Sequence, residues 1–260
     1  MGYARILPII LALYSGVAMA APLKRLSLDI CADYYLASFV GSNGVMFTRQ
    51  AKDGFSLPIT LPTGSLSHNG SLEEVIAYAP EQILTSMLSF GNLPQKLQKY
   101  PYSTIQIPWA TNLTELKTLH NRLDEVLKTQ TGQKLNAKID EILQNIPPKT
   151  DKNMLILAPN GFTIKQGTHY DVIFDILGIN NYHKGNGYGM IGIEEILTNP
   201  PDIIVTINRS PNRPQLSDSL LQHKALKDLA VPIYDISDQF TICPSMELVG
   251  AAEKLKEMMP

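Results

Sequence analysis

Strand-like and helix-like segments alternate along most of this sequence. Short apolar runs suited to strands are separated by amphipathic segments with helical spacing. Strands that alternate with helices in this way build mainly parallel sheets covered by helices, so we predict an α/β fold. The predicted strands are 25–29, 82–85, 103–107, 154–158, 203–207 and 232–236, and the predicted helices are 32–39, 72–78, 93–99, 172–177, 193–197, 219–229 and 246–258.

The alternation is interrupted once, by a long helical segment near the middle of the chain. Leucine and isoleucine recur at helical spacing between Leu113 and Leu143, after a suitable N-cap at Thr111 or Asn112 and before a proline stop at 147–148. Gly132 is placed where it would bend or divide this segment. A long helix between two α/β regions suits a connection, so we predict two Rossmann-like lobes with mainly parallel sheets, joined by a long α-helix. The expected boundaries are 21–110 for the N-terminal lobe, 111–148 for the linking helix and 149–260 for the C-terminal lobe.

One segment of each predicted lobe repeats the same order of residue types. SLEEVIAYAPEQIL at 71–84 and GIEEILTNPPDIIV at 192–205 each begin with a short helical stretch that carries two adjacent glutamates, followed by a proline stop and an apolar strand. Chance, or the common succession of helix and strand, could produce so short a match. Its position in both halves favours two similar lobes.

The first twenty residues have the composition of a secretory signal. A positive start precedes an apolar run at 6–13, and small residues lead up to Ala20. A membrane anchor is less favoured, because the run is too short to span a bilayer and contains Pro8. We expect cleavage of residues 1–20, a mature N-terminus at Ala21, and a soluble protein in the oxidising periplasm. An intact N-terminus on the exported protein would contradict this expectation.

Composition and charge exclude several other classes of protein. Of the 260 residues, 44% are apolar and 18% are charged, which is typical of a globular chain rather than a disordered one. The net charge is −2 and no long basic run occurs, so no nucleic-acid partner is predicted. The stretch at 187–192 fits G-x-G-x-x-G, but polar residues rather than a strand precede it. This argues against a dinucleotide-binding loop, and no resident cofactor is predicted.

Residue spacing indicates neither a metal site nor a catalytic site. No two histidines have the close spacing of metal ligands, so no metal site is predicted. No nucleophile elbow or catalytic pair of carboxylates is recognisable. An exported enzyme with an active site between the lobes remains an alternative, because a site assembled in space leaves no local motif. The histidines are His68, His120, His169, His183 and His223.

Five segments, in their order and spacing, resemble a known family. They are KRLSLDICADYYLASF at 24–39, SLEEVIAYAPEQIL at 71–84, GYGMIGIEEILTNPPDIIV at 187–205, LLQHKALKDLAVPIYDI at 220–236 and FTICPSMELVGAAEKL at 240–255. Over nearly the whole mature chain the sequence is similar to the helix-linked periplasmic binding proteins that serve importers of ferric siderophores, cobalamin and haem. The resemblance implies a monomeric substrate-binding protein without catalysis, whose partners are the permease subunits of an ABC importer and a small metal chelate. A ferric siderophore is the first expectation for this ligand, cobalamin or another corrinoid the second, and haem the third.

The ligand is expected between the lobes, at the carboxyl ends of the strands. Aromatic rings suit a large flat ligand, and arginines suit anionic oxygens. The candidate ligand-binding residues are Tyr34, His68, Asn69, Trp109, Tyr188, Arg209, Arg213, Asp238 and Phe240, with Cys31, Met87, Asn160 and Phe162 at similar positions after strands.

Several of these candidates have a simpler structural explanation. Tyr34 would pack in the core on its helix, and Trp109, the only tryptophan, would pack at the hinge between the lobes. His68 would stabilise the turn before the helix at 72–78. The two arginines lie in a polar, proline-containing loop and would simply be solvated.

The resemblance also implies one docking glutamate on each lobe, which pairs with arginines of a permease subunit. Counting back from the prolines of the repeated segment places these glutamates at Glu73 and Glu194. A carboxylate near the start of a helix is favoured locally as well, so helix capping is the alternative, and Glu74 and Glu195 could share that role.

In the family layout, the loops that carry the two cysteines, Cys31 and Cys243, both face the cleft. We predict a disulfide that joins the lobes. Two buried thiols, or two thiols that face the ligand, are the alternatives. Such a bridge would close a loop of about 200 residues, contribute about 5 kcal/mol of stability and restrict the motion of the lobes.

Overall fold

The computed structural model describes residues 23–52, 58–89, 91–208 and 219–259. The predicted signal and the candidates Arg209 and Arg213 lie outside these residues. The strands are β1 (Arg25–Ser27), β2 (Val45–Thr48), β3 (Leu66–His68), β4 (Gln82–Thr85), β5 (Ser103–Gln106), β6 (Asn153–Ala158), β7 (Phe162–Ile164), β8 (Asn180–Asn181), β9 (Tyr188–Met190), β10 (Ile203–Asn208) and β11 (Ile233–Ser237). The helices are α1 (Ile30–Val40), α2 (Arg49–Lys52), α3 (Leu72–Tyr78), α4 (Leu93–Leu97), α5 (Leu113–Leu127), α6 (Thr131–Leu143), α7 (Asp171–Leu177), α8 (Ile193–Thr198), α9 (Lys224–Lys227) and α10 (Met246–Met258).

Two sheets form the centres of two lobes, which confirms the predicted α/β fold. The first sheet is parallel throughout, in the order β3-β2-β1-β4-β5. The second has the order β11-β10-β6-β7-β9, and β8 also pairs with β6. Its β6, β10 and β11 are parallel, whereas β7 and β9 are antiparallel to their neighbours. The two sheets are therefore mainly parallel, as predicted.

Short elements account for most differences from the sequence prediction. The strands β2, β3, β7, β8 and β9 have two to four residues each and have no counterpart in the prediction, because so few residues show no clear alternation. The helix predicted at 219–229 is reduced to α9, Lys224–Lys227. Its start is set by His223, whose side chain accepts a hydrogen bond from the backbone of Ala225 at 3.2 Å.

The long helical segment between the lobes is divided into an antiparallel pair, α5 and α6. Lys128 ends α5 in the left-handed conformation, with φ 57°. The Asp124 carboxylate then accepts the backbone N–H groups of Gly132 and Gln133 at 2.9 Å, which satisfies the start of α6. The end of α6 leads into the second lobe, where Lys256 of α10 donates a hydrogen bond to the following turn. The division near Gly132 therefore turns the chain back, so that a pair of helices, rather than a single long one, lies between β5 and β6.

Both lobes contain the same hydrogen-bonded arrangement at the start of their central strands. Before β4, the Glu81 carboxylate accepts the backbone N–H of Lys24 at 3.1 Å. Before β10, the Asp202 carboxylate accepts the backbone N–H of Asn153 at 2.7 Å. The N–H of each acidic residue donates back to the carbonyl of the same partner. The repeated sequence segment therefore occupies equivalent positions in the two lobes.

The apolar core follows this repeat. The inner faces of both sheets contribute to one continuous core that includes Leu84 of β4 and Val205 of β10. The preceding residues, Ile83 and Ile204, point to the opposite faces, where each lobe has a smaller outer cluster. The short helices α3 and α8 cover these outer clusters. They are thus placed on the outside of the molecule, away from the core shared by the lobes.

Candidate functional site

The carboxyl ends of the two sheets face each other across a disulfide between Cys31 and Cys243. Cys31 lies in the first turn of α1, directly after β1, and Cys243 lies between β11 and α10. Their Cα atoms are 5.6 Å apart, and both residues are buried. The bridge therefore joins the loops that follow a strand in each lobe. A ligand bound at the carboxyl ends of these strands would lie beside it.

Two tyrosines of α1 make part of the contact between the lobes. The Tyr35 hydroxyl donates a hydrogen bond to the carbonyl of Pro244 in the second lobe. Tyr34 is 5% exposed and meets the Tyr35 ring edge to face, with centroids 5.3 Å apart. Burial raises the pKa of Tyr34 well above its usual value. The structure thus places Tyr34 in the packed contact, which corresponds to the core-packing alternative.

Trp109 reaches across from the first lobe to His169 in the second. The rings meet edge to face, with centroids 5.1 Å apart, and Trp109 is half-buried. His169 Nε2 donates a hydrogen bond to the Thr241 carbonyl at 2.6 Å, and Nδ1 has no partner among the described residues. Burial lowers the pKa of His169 to about 4, so this ring is neutral at pH 7. Trp109 therefore takes part in the contact between the lobes.

His68 holds the turn between β3 and α3. Its Nε2 donates to the Ser27 carbonyl at 2.8 Å, and its Nδ1 accepts the backbone N–H of Gly70 at 3.1 Å. Burial lowers the pKa of this side chain as well. With both nitrogens occupied, His68 corresponds to the turn-stabilising alternative. The exposed Asn69 beside it accepts the N–H of Ser71 at 2.9 Å.

Asp29 organises the carboxyl ends of β1 and β4 in the first lobe, a role that the sequence pattern did not predict. Its carboxylate caps α1 by accepting the N–H groups of Cys31 and Ala32 at 3.0 Å. It also accepts the N–H of Ser86 at 2.6 Å and the hydroxyls of Ser86 and Ser89 at 2.7 and 2.6 Å. These bonds fix the loop after β4. The available signal was an aspartate between a strand and a helix, which is the usual position of an N-cap.

A second buried carboxylate, Asp33, lies one helical turn further along α1. It accepts hydrogen bonds from Ser27 and from the backbone and side chain of Thr48. Burial raises the pKa of Asp33 to about 6. Asp33 joins β1, β2 and α1, so its role is to hold the first lobe together.

The second lobe presents an apolar surface that we call the β7–β9 platform, made of Phe162, Tyr188 and Met190. The rings of Phe162 and Tyr188 are stacked, with centroids 5.3 Å apart and planes at 22°. The three side chains are 39%, 45% and 63% exposed, respectively. They lie beside the turn that follows β6, where Asn160 adopts the left-handed conformation with φ 61°. In the first lobe, the fixed loop after β4 exposes Met87, so both lobes expose apolar side chains beyond the carboxyl end of a central strand.

The remaining ligand candidates of the second lobe lie in the turn after β11. Asp238 and Phe240 belong to one 3-10 turn and are both half-buried. The Asp238 carbonyl accepts the N–H of Thr241 at 2.9 Å. Since the Thr241 carbonyl accepts a hydrogen bond from His169, this turn is fixed to the contact between the lobes.

The predicted docking glutamate of α3, Glu73, is not the acid that takes part in capping that helix. At α3, the Ser71 hydroxyl accepts the N–H of Glu74 at 3.2 Å, and the Glu74 carboxylate accepts the N–H of Asn69 at 2.7 Å. Capping therefore occupies Glu74 and leaves Glu73 exposed. Glu194 on α8 is also exposed, and neither carboxylate pairs with any residue that the structure describes.

Comparison with protein families identifies the chain. The sequence profile of the periplasmic binding protein family matches residues 44–230. The chain belongs to this family. Among proteins with curated functions, no sequence match was found.

Solved structures of periplasmic binding proteins have the same fold. The periplasmic haem-binding protein HutB of Vibrio cholerae superposes with a TM-score of 0.72 at 14% identity, over 91% of this chain and 98% of that one. The periplasmic vitamin B12 binding protein BtuF of Vibrio cholerae superposes with a TM-score of 0.64 at 14% identity, over 90% of this chain and 95% of that one. A periplasmic binding protein of Veillonella parvula superposes with a TM-score of 0.68 at 16% identity, over 92% of this chain and 91% of that one. The two-lobed architecture is thus that of the family.

Other features of this periplasmic binding protein lie away from the cleft. Two adjoining open grooves, each of about 650 Å³, share Asn112, Ile146 and Asp175 in their walls. One of them reaches β8, which pairs with the amino end of β6, so it opens away from the carboxyl ends of the strands.

Within the described part of the chain, no helix has the length and apolar character needed to cross a membrane. In the same residues, no group of acidic, histidine and cysteine side chains is arranged to hold a metal ion.

Proposed function

We propose that this protein captures a metal chelate between its two lobes in the periplasm and delivers it, as a monomer, to the permease of an ABC importer. The observation that carries the proposal is the opposition of the carboxyl ends of both sheets at a contact between the lobes, in a chain of the periplasmic binding protein family. Binding and delivery are then the whole mechanism. An exported enzyme with an active site between the lobes is the outcome that the test below would detect.

A large chelate with an apolar face suits the cleft. The stacked rings of Phe162 and Tyr188 expose aromatic surface, and Met190 and Met87 add flexible apolar contacts. A ferric siderophore remains the first expectation for the ligand, followed by cobalamin or another corrinoid and by haem. The solved haem-binding and vitamin B12-binding proteins with this fold support a ligand of this size.

Ligand capture is expected to involve only a small movement of the lobes. The disulfide, the Tyr35 hydrogen bond to Pro244 and the contact of Trp109 with His169 hold the lobes together on one side of the cleft. A continuous core further resists a wide hinge motion. We therefore expect a modest rocking of one lobe against the other.

Fluorescence of Trp109 offers a direct test, because it is the only tryptophan and lies at the lobe contact. Purified protein would be titrated with ferric hydroxamate and catecholate siderophores, cobalamin and haemin. We expect one class to quench the fluorescence with one-to-one stoichiometry, and mass spectrometry to recover that compound unchanged. Consumption of the compound would support an enzyme, and no binding by any class would contradict the proposal.

Truncation of the β7–β9 platform should weaken ligand binding. For Phe162→Ala and for Tyr188→Ala we expect the dissociation constant to rise about 10- to 100-fold, since removal of a large aromatic contact costs about 1.5–3 kcal/mol. The melting temperature should change little, because both side chains are partly exposed. Isothermal titration calorimetry with the compound found above measures the effect.

The matched control for the platform is Ile233→Ala, which removes an apolar side chain of similar exposure, 37%, from β11. Its affinity should equal that of the wild type. Equal affinities for the platform variants and the control would place the ligand elsewhere.

Delivery is proposed to depend on Glu73 and Glu194. These exposed carboxylates would pair with cationic groups of two permease subunits, one for each lobe. Two separated charge pairs would set the orientation of the complex and speed its formation. The repeat of the surrounding helix and strand in both lobes supports this assignment.

A further inference from the structure

We infer that the docking surface includes one exposed apolar residue on each lobe, Ile76 on α3 and Leu197 on α8. The inference rests on the proposed function and adds a contact to the docking glutamates. The partner it fits is the periplasmic face of the permease, with two equivalent halves that each offer an apolar recess beside a cationic group.

Ile76 and Leu197 have no evident role in folding. Their neighbours Val75 and Ile196 are fully buried in the outer clusters and attach the two helices to their sheets. Ile76 and Leu197 point outward instead, with 39% and 42% of their surface exposed. A single exposed apolar residue is common on a protein surface. The recurrence of the feature at equivalent positions of both lobes is what requires an explanation.

The apolar residue of each lobe lies beside the docking acid. Ile76 follows Glu73 by three residues on α3, and Leu197 follows Glu194 by three residues on α8. Residues three apart lie on the same side of a helix. Each lobe therefore presents a carboxylate and a branched apolar side chain together. The prolines that end the two segments, Pro80 and Pro201, are also both buried.

Charge distinguishes the permease from a second copy of this chain as the occupant. The helix α3 contains Glu73 and Glu74 and no basic residue, and α8 contains Glu194 and Glu195 and no basic residue. Self-association through these faces would bring carboxylates together, which is unfavourable. A cationic partner is required, and a surface repeated on two lobes fits a partner with two equivalent halves.

The acids and the apolar residues should contribute differently to binding of the permease. The attraction between exposed charges is screened at high ionic strength, whereas burial of apolar surface is not. The glutamates would then determine orientation and rate of association, and the apolar pair would slow dissociation. This difference gives the inference a test that separates it from the glutamate assignment.

The test is binding of labelled protein to right-side-out inner-membrane vesicles of the source bacterium. The variant Ile76→Gln/Leu197→Gln keeps good helix formers and removes only the apolar contact. We expect its affinity for the vesicles to fall at least about tenfold at both ~0.05 M and ~0.5 M salt. For Glu73→Arg/Glu194→Arg the loss should be larger at low salt than at high salt. The control Leu143→Gln/Met258→Gln alters two helical residues of like exposure, 41% each, and should bind as the wild type does.

Four outcomes are informative. If both docking variants lose binding and the control does not, the inference is supported. If the apolar variant binds like the wild type while the glutamate variant does not, the inference is wrong and the proposed docking by acids stands. If neither variant loses binding, the proposed docking itself fails. If sedimentation shows a dimer of the wild type that the apolar variant abolishes, a second copy covers this surface and the inference is overturned.

Discussion

Reversal of both docking charges, in Glu73→Arg/Glu194→Arg, is expected to abolish uptake in cells while the affinity for the ligand and the melting temperature stay nearly unchanged. Both carboxylates are exposed and pair with no described residue, so their loss leaves no buried group without a partner. The reversal replaces two attractive charge pairs with two repulsive ones on the permease. Uptake of the labelled chelate should fall at least about 100-fold, which corresponds to a loss of about 2.7 kcal/mol. Growth of cells that receive their metal only from the chelate provides a second readout.

The control for this experiment is Glu253→Arg/Glu257→Arg, which reverses two exposed acids on α10. The change in net charge is the same, so equal uptake by this control and the wild type would exclude a general electrostatic effect. Survival of transport in the docking variant would contradict the assignment. A collapse of ligand binding in the purified variant would contradict it as well, because these helices cover the outer faces of the sheets, away from the cleft.

Loss of the disulfide is expected to produce the largest change in stability. The bridge spans 212 residues, and closing so long a loop lowers the entropy of the unfolded chain. In the chain-entropy description this loss raises the free energy of the unfolded chain by about 5 kcal/mol at 25 °C. The double variant Cys31→Ala/Cys243→Ala should therefore have a lower free energy of unfolding by about this amount. Its melting temperature should fall by roughly 10–20 °C for a chain of this size. Urea denaturation and thermal melting measure the two quantities.

Reduction of the wild type is the matched comparison, since it opens the bridge without changing a side chain. Wild type with reductant and the double variant should melt at similar temperatures, and reductant should not affect the double variant. Thiol counting in denaturant is the decisive control. Two free thiols in the oxidised protein would refute the bridge, and an equal melting temperature with and without reductant would refute its stabilising role.

Several parts of the architecture were predictable because local residue patterns determine them. The strands β4, β6, β10 and β11 and the helices α3, α7, α8 and α10 follow from periodicity and from proline or glycine stops. The repeat at 71–84 and 192–205 predicted two similar lobes, and the structure shows it in the hydrogen bonds of Glu81 and Asp202. The break between α5 and α6 was only partly predictable. Gly132 marked the region, but the turn depends on the capping of α6 by Asp124, eight residues earlier.

The candidate site was less predictable, because proximity to a strand end does not determine which way a side chain points. His68 and Trp109 both lie at or just after the end of a strand, yet each is engaged by a residue distant in the chain. Their partners, Ser27 for His68 and His169 for Trp109, come from other elements. The stacking of Phe162 on Tyr188 likewise required the pairing of β7 with β9, two strands too short to predict.

The sequence by itself determined the α/β class, the division into two similar lobes and the position of the exposed acids, because these depend on short-range periodicity and helix signals. Only the tertiary structure decided which of the two glutamates of α3 remains free of capping. It also decided which side chains meet across the lobes and where apolar surface stays exposed. The physical reason is that the partners and the burial of a side chain depend on packing between segments far apart in the chain. A local pattern records which face of a helix or strand is apolar, and it carries no information about the neighbour that covers that face.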